Sequence, residues 1–409
     1  MADEFRMTLL ELLRKAELDQ DTDFLREGVR VLTQALMEAD ISQQVGAERY
    51  ERTGARTGQR NGYRERQWDT RAGSIELQVP RMRVGNYLPS FLEPRKRAER
   101  ALVAVVQEAY VLGISTRRVD DLVQSLGMTG ISKSQVSRIC GELDEEVERF
   151  RNRRLEGEYP YVWLDATYMK VREGGRVVSA AVVVAIGVRS TGEREVLGLD
   201  VGASEDGAFW LAFLRGLVAR GLRGVQLVVS DAHIGLRAAI GAVLIGTVWQ
   251  RCRVHFMRNV LALVPKQAQQ MVAASIRTAF VQADRPSAVA TWRKVAEGLR
   301  RQFPRVTALL TAAEAEVLAY TDFPAEHWRQ IWSNNPLERL NKEIKRRTNV
   351  VGIFPNSAAI IRLVGAVLAE QHDEWQVSRR YFSAESLAKL PPGPVAPLPT
   401  LLVAVDAPA

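Results

Sequence analysis

The chain is 409 residues long with 46% apolar content, enough for two or three domains with real cores, and its formal net charge of +8 is modest. Two cysteines in such a length, Cys140 and Cys252, exclude a disulfide framework and a cysteine-rich zinc module. No run of about 18 uncharged apolar residues occurs, and the opening MADEFRMTLLELL carries acids where a secretory leader would be basic, so the expectation is a cytoplasmic protein with no membrane partner.

Residues 1–48 read as a small helical unit, with Leu9, Leu10, Leu13, Leu25, Val29, Leu32 and Leu36 at roughly helical spacing. Residues 49–100 follow as a basic arm: 13 Arg or Lys against 6 acids place nearly the whole charge excess here. Arg60, Arg64, Arg66 and Arg71 alternate with Gly, Asn, Tyr63 and Trp68, a mixture suited to a backbone lying close to phosphates. DNA is therefore the favoured partner, the bland reading being a solvated basic surface. Within the arm, Ser74–Pro80 alternates like a short half-buried strand.

Residues 101–155 return to helical spacing. Arg117–Leu126 forms one amphipathic segment, Gly127–Gly130 breaks it, and Ser132 is placed to cap a second helix running toward Glu146. This is a helix-turn-helix outline that leaves Lys133, Gln135 and Arg138 facing outward for DNA, although an ordinary helical hairpin has the same pattern.

From 156 to 256 the pattern becomes mixed α/β. Tyr161–Leu164 reads as a strand ending at Asp165, and Val177–Val188 as a second strand after a Gly-Gly turn. Glu195–Val201 gives a third strand, Gly207–Arg220 a helix, and Val225–Val229 a fourth strand ending at Asp231. Ile234–Val243 is a second helix and Thr247–Arg251 a fifth strand. That order is the one of an RNase-H-like fold, a mixed sheet flanked by helices. It places Asp165 and Asp231 at the ends of adjacent strands. Either aspartate alone is better read as a turn former. Two together demand a cation, and phosphodiester cleavage by two Mg²⁺ (or Mn²⁺) ions about 3.5–4 Å apart needs carboxylates that share a metal.

Residues 257–332 are helical and rich in Ala, Leu and Arg, the composition of an inserted helical domain, and 333–390 return to the catalytic core. There Asn334 and Pro336 open a helix whose Leu337, Leu340 and Ile344 form a core stripe. Glu338 shares the neighbouring face with Asn341, Lys342 and Lys345, offering a third carboxylate beside phosphate-holding groups. Glu343 is the rival, five positions on. Residues 391–409 hold five prolines within their first nine positions and read as a disordered tail.

The blocks RNGYRERQWDTR, GISKSQVSR, LDATYMKVR, SDAHIGL, WQRCRVHFMRN and NPLERLNKEIKRRTNVVGIFPN resemble the signature blocks of mutator-type bacterial insertion-sequence transposases, over about Arg60–Tyr381. The resemblance implies Asp165, Asp231 and Glu338 as a catalytic, metal-holding triad, spaced by 66 and 107 residues with a helical insertion in the long gap. It also implies a supporting role for the Cys252-x-x-His255 block. His233 is either a contact to the scissile phosphate or a helix cap. Arg339, Arg346 and Arg347 are candidate phosphate clamps, with solvated helix surface as the plain reading. The expected chemistry is hydrolysis at an element end to expose a 3′-hydroxyl, which then joins target DNA, with terminal inverted repeats bound by a homodimer. A structure-selective nuclease and a DNA-binding regulator remain the competing classes.

Overall fold

The computed structural model describes residues 24–391, save 49, 52, 55, 71, 93–99 and 126–130. The expected helix around Leu9–Leu13, Arg71, the Gly127–Gly130 break and the proline-rich tail lie outside the described residues. The chain divides into two compact units, Met1–Glu142 and Leu143–Ala409.

In the first unit, helix α1 (Phe24–Val45) packs on an antiparallel hairpin of β1 (Arg60–Thr70) and β2 (Gly73–Met82). Strand β2 alternates as its sequence requires, burying Ile75, Leu77 and Val79 against Met37, Ile41 and Val45 of the helix. Strand β1 departs from the expected arm. Its Arg, Asn, Gly and Glu residues give no apolar alternation, because only Trp68 and Thr70 near its end are buried; its order comes from backbone pairing along β2.

Helices α2 (Arg100–Val111), α3 (Thr116–Ser125) and α4 (Lys133–Cys140) complete this unit. The start of α4 is fixed by a reciprocal capping box: the Gln135 backbone N–H donates to Ser132 Oγ (3.2 Å), and the Ser132 N–H donates to Gln135 Oε1 (2.7 Å). The expected continuation to Glu146 does not occur. The chain turns at Gly141–Glu142, and α5 (Leu143–Asn152) starts anew in the second unit.

The second unit is a mixed α/β structure. Strands β3 (Tyr161–Glu173), β4 (Arg176–Val188), β5 (Arg194–Gly202), β6 (Leu227–Ser230) and β7 (Val248–Arg251) stand in the order β5-β4-β3-β6-β7. The first three are antiparallel, whereas β6 runs parallel to β3 and β7 parallel to β6. Between them lie α6 (Gly207–Ala219) and α7 (Ile234–Val243), whose Trp210, Leu214, Leu236 and Ile240 cover one sheet face at Val162, Leu164, Val183 and Val228. The two helices begin almost in contact: a Cβ on Gly235 would lie 2.7 Å from Gly207 N, so this approach requires glycine.

Four helices follow β7: α8 (Arg253–Ala262), α9 (Lys266–Phe280), α10 (Arg285–Leu299) and α11 (Pro304–Val317). Their own core holds Trp292, whose indole N–H donates to the Leu310 carbonyl (3.0 Å). Buried Gln250 ties the end of this array to β7, donating to the Val317 carbonyl and accepting from the Tyr320 N–H. A short α12 (Trp328–Ile331) leads into α13 (Asn335–Thr348), after which β8 (Ile353–Phe354) adds in parallel to the far end of β3. Helix α14 (Ser357–Val377), capped by Asn356, packs on α5, with Gly365 against Val147, and α15 (Ala384–Leu387) closes the described chain. No helix among the described residues is long and apolar enough to cross a membrane.

Candidate active site

Strand β3 does not end at Asp165 but continues to Glu173, with Asp165 opposite Val184 of β4. On its other side β6 is shorter. It pairs with Tyr161–Trp163 and stops at Ser230, so Asp231 opens the loop beside Asp165. The His233 backbone N–H donates to Asp231 Oδ1 (3.1 Å), and His233 Nδ1 accepts from the Leu236 N–H (3.4 Å), which makes His233 the N-cap of α7.

Helix α13 is attached to the same strand by its first residues. Asn334 is fully buried; its side-chain amide donates to the Leu164 carbonyl (3.0 Å) and its backbone N–H donates to Cys252 Sγ (3.3 Å). The Trp163 indole donates to the Ser333 carbonyl (3.1 Å). These bonds set Glu338 in the first turn of α13, and one turn further the Asn341 amide donates to Asp165 Oδ2 (2.8 Å). Leu337, Leu340 and Ile344 are buried, as their spacing predicts.

The electrostatics centre on Asp165. Burial, and then the charge of Asp231, pushes its carboxyl up from 3.8 to about 7, with Glu205 and Glu338 adding to the effect. No sequence motif marks Glu205. It accepts from Tyr168 Oη (3.0 Å) and Trp210 Nε1 (3.3 Å), and its Oε1 lies 3.8 Å from His233 Nδ1. The only signal was an acid pair after β5. Asp206 caps α6 by accepting from the Phe209 N–H, and its neighbour Glu205 is left to turn inward.

These acids share one field, yet among the described residues no three His, Cys, Asp or Glu side chains stand close enough to ligate one ion. Asn341 holds Asp165, and Arg258 Nη2 lies 3.6 Å from Glu338 Oε1. The donor chemistry still suits a hard divalent cation, since the groups are carboxylate oxygens and Glu338 Oε1 and Asn341 Oδ1 are buried without a hydrogen-bond partner. Cys252 is buried at the N-cap of α8, its thiol pushed up by burial, and its contact is to α13. His255 lies in the first turn of α8 with Nδ1 buried and unbonded.

The residues expected to meet DNA fall into distinct settings. Arg60 is turned into its own unit, bonded to Glu38 (2.6 Å) and Ser42, and Arg64 donates to the Tyr87 carbonyl (3.1 Å). Arg66 is half-buried beside Arg64. Gln135 is exposed but engaged in its capping box, Arg138 is exposed, and Lys133 opens α4. On α13, Arg339, Lys342 and Lys345 are exposed and Arg346 pairs with Glu343 at the surface. Arg347 is buried between Glu343 and Glu370. The two arginines hold the Glu343 carboxyl down near about 2, so this rival acid is an ion-pair partner within its own helix.

The family model for "Transposase, Mutator family" matches residues 1–378. The chain is 51% identical over 381 residues to the transposase for insertion sequence element IS1081 of Mycobacterium tuberculosis, covering 93% of this chain and 92% of that relative. It is 40% identical to the transposase for element ISRM5 of Rhizobium meliloti, over 89% of this chain and 92% of the relative. With the transposase for IS256 in Tn4001 of Staphylococcus aureus it shares 39% identity, over 85% and 90%. Across nearly its whole length, then, this chain belongs to the Mutator family of transposases.

Proposed function

We propose that the chain is a DNA transposase of the Asp-Asp-Glu type, acting at the ends of an insertion sequence through Asp165, Asp231 and Glu338. The second unit is read as an RNase-H-like core with the helices α8 to α11 inserted before α13. The observation that carries the reading is Asp165, a buried carboxyl raised to about 7 beside Asp231, Glu205 and Glu338. Like charges gathered in a buried site call for a cation. Two Mg²⁺ or Mn²⁺ ions held by the three carboxylates would supply that charge and the Lewis acidity needed at the attacking and leaving oxygens.

The protein's own groups supply position. Asn341 orients Asp165 through Oδ2, the His233 backbone orients Asp231 through Oδ1, and Asn334 with Cys252 anchors the helix that carries Glu338. In the first step a water oxygen attacks the phosphorus at the element end, and the departing 3′-oxygen leaves with a proton as a hydroxyl. In the second that hydroxyl attacks a target phosphorus and breaks the target's own bond to its 3′-oxygen. Neither step needs a covalent protein–DNA bond. The exposed Arg339, Lys342 and Lys345 follow Glu338 on α13, where phosphates would pass. Pairing of two terminal inverted repeats makes a homodimer the working assembly.

The relatives' names, transposases for insertion elements, favour this over a nuclease that cleaves without joining. The test is cleavage of terminal-repeat DNA and joining of pre-cut ends by the full chain with Mg²⁺. Asp165→Asn is expected to abolish both. Undiminished cleavage by that variant refutes the triad, and cleavage without joining points to a nuclease.

A further inference from the structure

Arg194 opens β5 with its guanidinium held between two rings, 4.4 Å from the centroid of Trp375 near the end of α14 and 4.5 Å from that of Tyr381. Both rings are fixed by the fold. Trp375 is buried, and the Tyr381 and Phe382 N–H groups donate to the Gly192 carbonyl (2.8 and 3.3 Å) in the β4–β5 turn. Tyr381 also lies edge-on to Trp163 (6.1 Å), whose indole anchors Ser333 just before α13. Arg194 is thereby tied to the helix that carries Glu338. Arg339, the next residue on that helix, is exposed and near enough for its charge to act on Arg194. Among the described residues neither guanidinium has a carboxylate partner, whereas Arg189 and Arg380, beside the same turn, meet Glu195 (2.7 Å) and Glu193 (3.2 Å).

We propose that Arg194 and Arg339 form a clamp for one backbone phosphate of the DNA strand, neighbouring the phosphate that is cut. The inference rests on the DNA-cleaving reading of the carboxylate site. Stacking occupies the two faces of the Arg194 guanidinium and leaves its edge, with the N–H donors, for an anion. The rings also hold it in one orientation, so little freedom is lost when the anion arrives. Two like charges brought together without an acid repel, and a phosphate that accepts from both turns the repulsion into attraction. An apolar occupant would leave the repulsion in place. Arg339 follows Glu338 directly on α13, so a strand placed at the carboxylates brings its neighbouring phosphates past the clamp.

The test measures binding by the full chain, without divalent ions, to terminal-repeat duplexes in which one phosphate at a time is replaced by an uncharged methylphosphonate. At one position the parent is expected to lose about 10-fold in affinity, the size of a charge-assisted contact. Arg194→Met keeps the packing between the two rings and removes the charge. It is expected to bind the unmodified duplex about 10-fold more weakly and to ignore the methylphosphonate at that position. Arg339→Gln, at an exposed site, should ignore the same one, and it decides the matter alone if Arg194→Met does not fold. A parent indifferent to every replacement overturns the proposal and points to an acidic protein segment as the anion. Either folded variant as sensitive as the parent at every position, or the two losing sensitivity at different positions, also overturns it. Because no strand is cut, such a failure is separate from the outcome of the Asp165→Asn cleavage assay.

Discussion

Asp165 and Asp231 lie close enough that the charge of the second raises the carboxyl of the first. The β3–β6 ladder joins Tyr161 to Leu227, Val162 to Val228 and Trp163 to Val229, each pair 66 residues apart, the separation of the two aspartates. The ladder ends at Trp163 and Val229, each two positions before an aspartate, so the pairing carries both acids to the same end of β6. Their mutual repulsion thus follows from strand pairing, and without a bound cation it is relieved by a proton on Asp165, whose carboxyl is raised to about 7.

That repulsion acts on stability as well. The folded-state value of Asp165, about 7, exceeds its ordinary 3.8, so its contribution is fully present below pH 3.8 and is lost as pH rises through 7. Without divalent ions, Asp165→Asn is therefore expected to be more stable than the parent at pH 8, by on the order of 4 kcal/mol, with no difference near pH 3. Denaturant unfolding at the two pH values checks this. Equal midpoints at pH 8 would remove the electrostatic argument.

Asn341 acts through Asp165. Loss of its amide in Asn341→Ala removes a hydrogen bond to a charged acceptor, worth about 1.5–3 kcal/mol, and should slow end cleavage by about 10- to 100-fold. Asn341→Asp, which adds a like charge, should be worse and should shift the Mg²⁺ titration midpoint. An Asn341→Asp protein as active as the Ala variant would contradict this positioning role.

Arg347 is buried between two carboxylates, unlike Lys345 on the same helix. Arg347→Ala should cost about 1 kcal/mol, because the packing of its buried stem is lost and Glu370 loses its partner, whereas Glu343 keeps Arg346. Lys345→Ala should leave stability unchanged and weaken DNA binding. Chemical denaturation beside a binding titration separates the two; a stable Arg347→Ala protein with weakened binding would reverse the assignment.

Salt dependence distinguishes the arginines of the first unit. Arg60 is bonded to Glu38 and Ser42, so Arg60→Ala should lower the unit's stability and leave the slope of log K against log salt unchanged. Arg138 is exposed, and Arg138→Ala should flatten that slope by about one. A flatter slope for Arg60→Ala would show that its guanidinium leaves Glu38 for a phosphate.

Local pattern was informative wherever periodicity was strong. The elements from β4 to β7 lie within two residues of their expected limits, since apolar runs and turn glycines mark them in the chain. Strand β1 carries no apolar alternation, because it is polar over most of its length and ordered by its partner. The break at Gly141 has no signal in the apolar pattern, because the stripe of α4 continues in phase through Leu143. Among site residues, Glu205 could not be told from the helix-capping Asp206 beside it, and which arginines turn inward depended on carboxylates far away in the chain.

By itself the sequence determined the family, the alternating strands and helices of the second unit, and the acids at strand ends. These are written in apolar spacing and short motifs, which act over a few residues. Only the tertiary structure decided that Asp165 lies mid-strand, that Asn341 and Glu205 join its surroundings, and that Arg60 and Arg347 are held by internal carboxylates. Those outcomes rest on burial and on charges brought together from distant parts of the chain, and neither exists before the sheet and helices have packed.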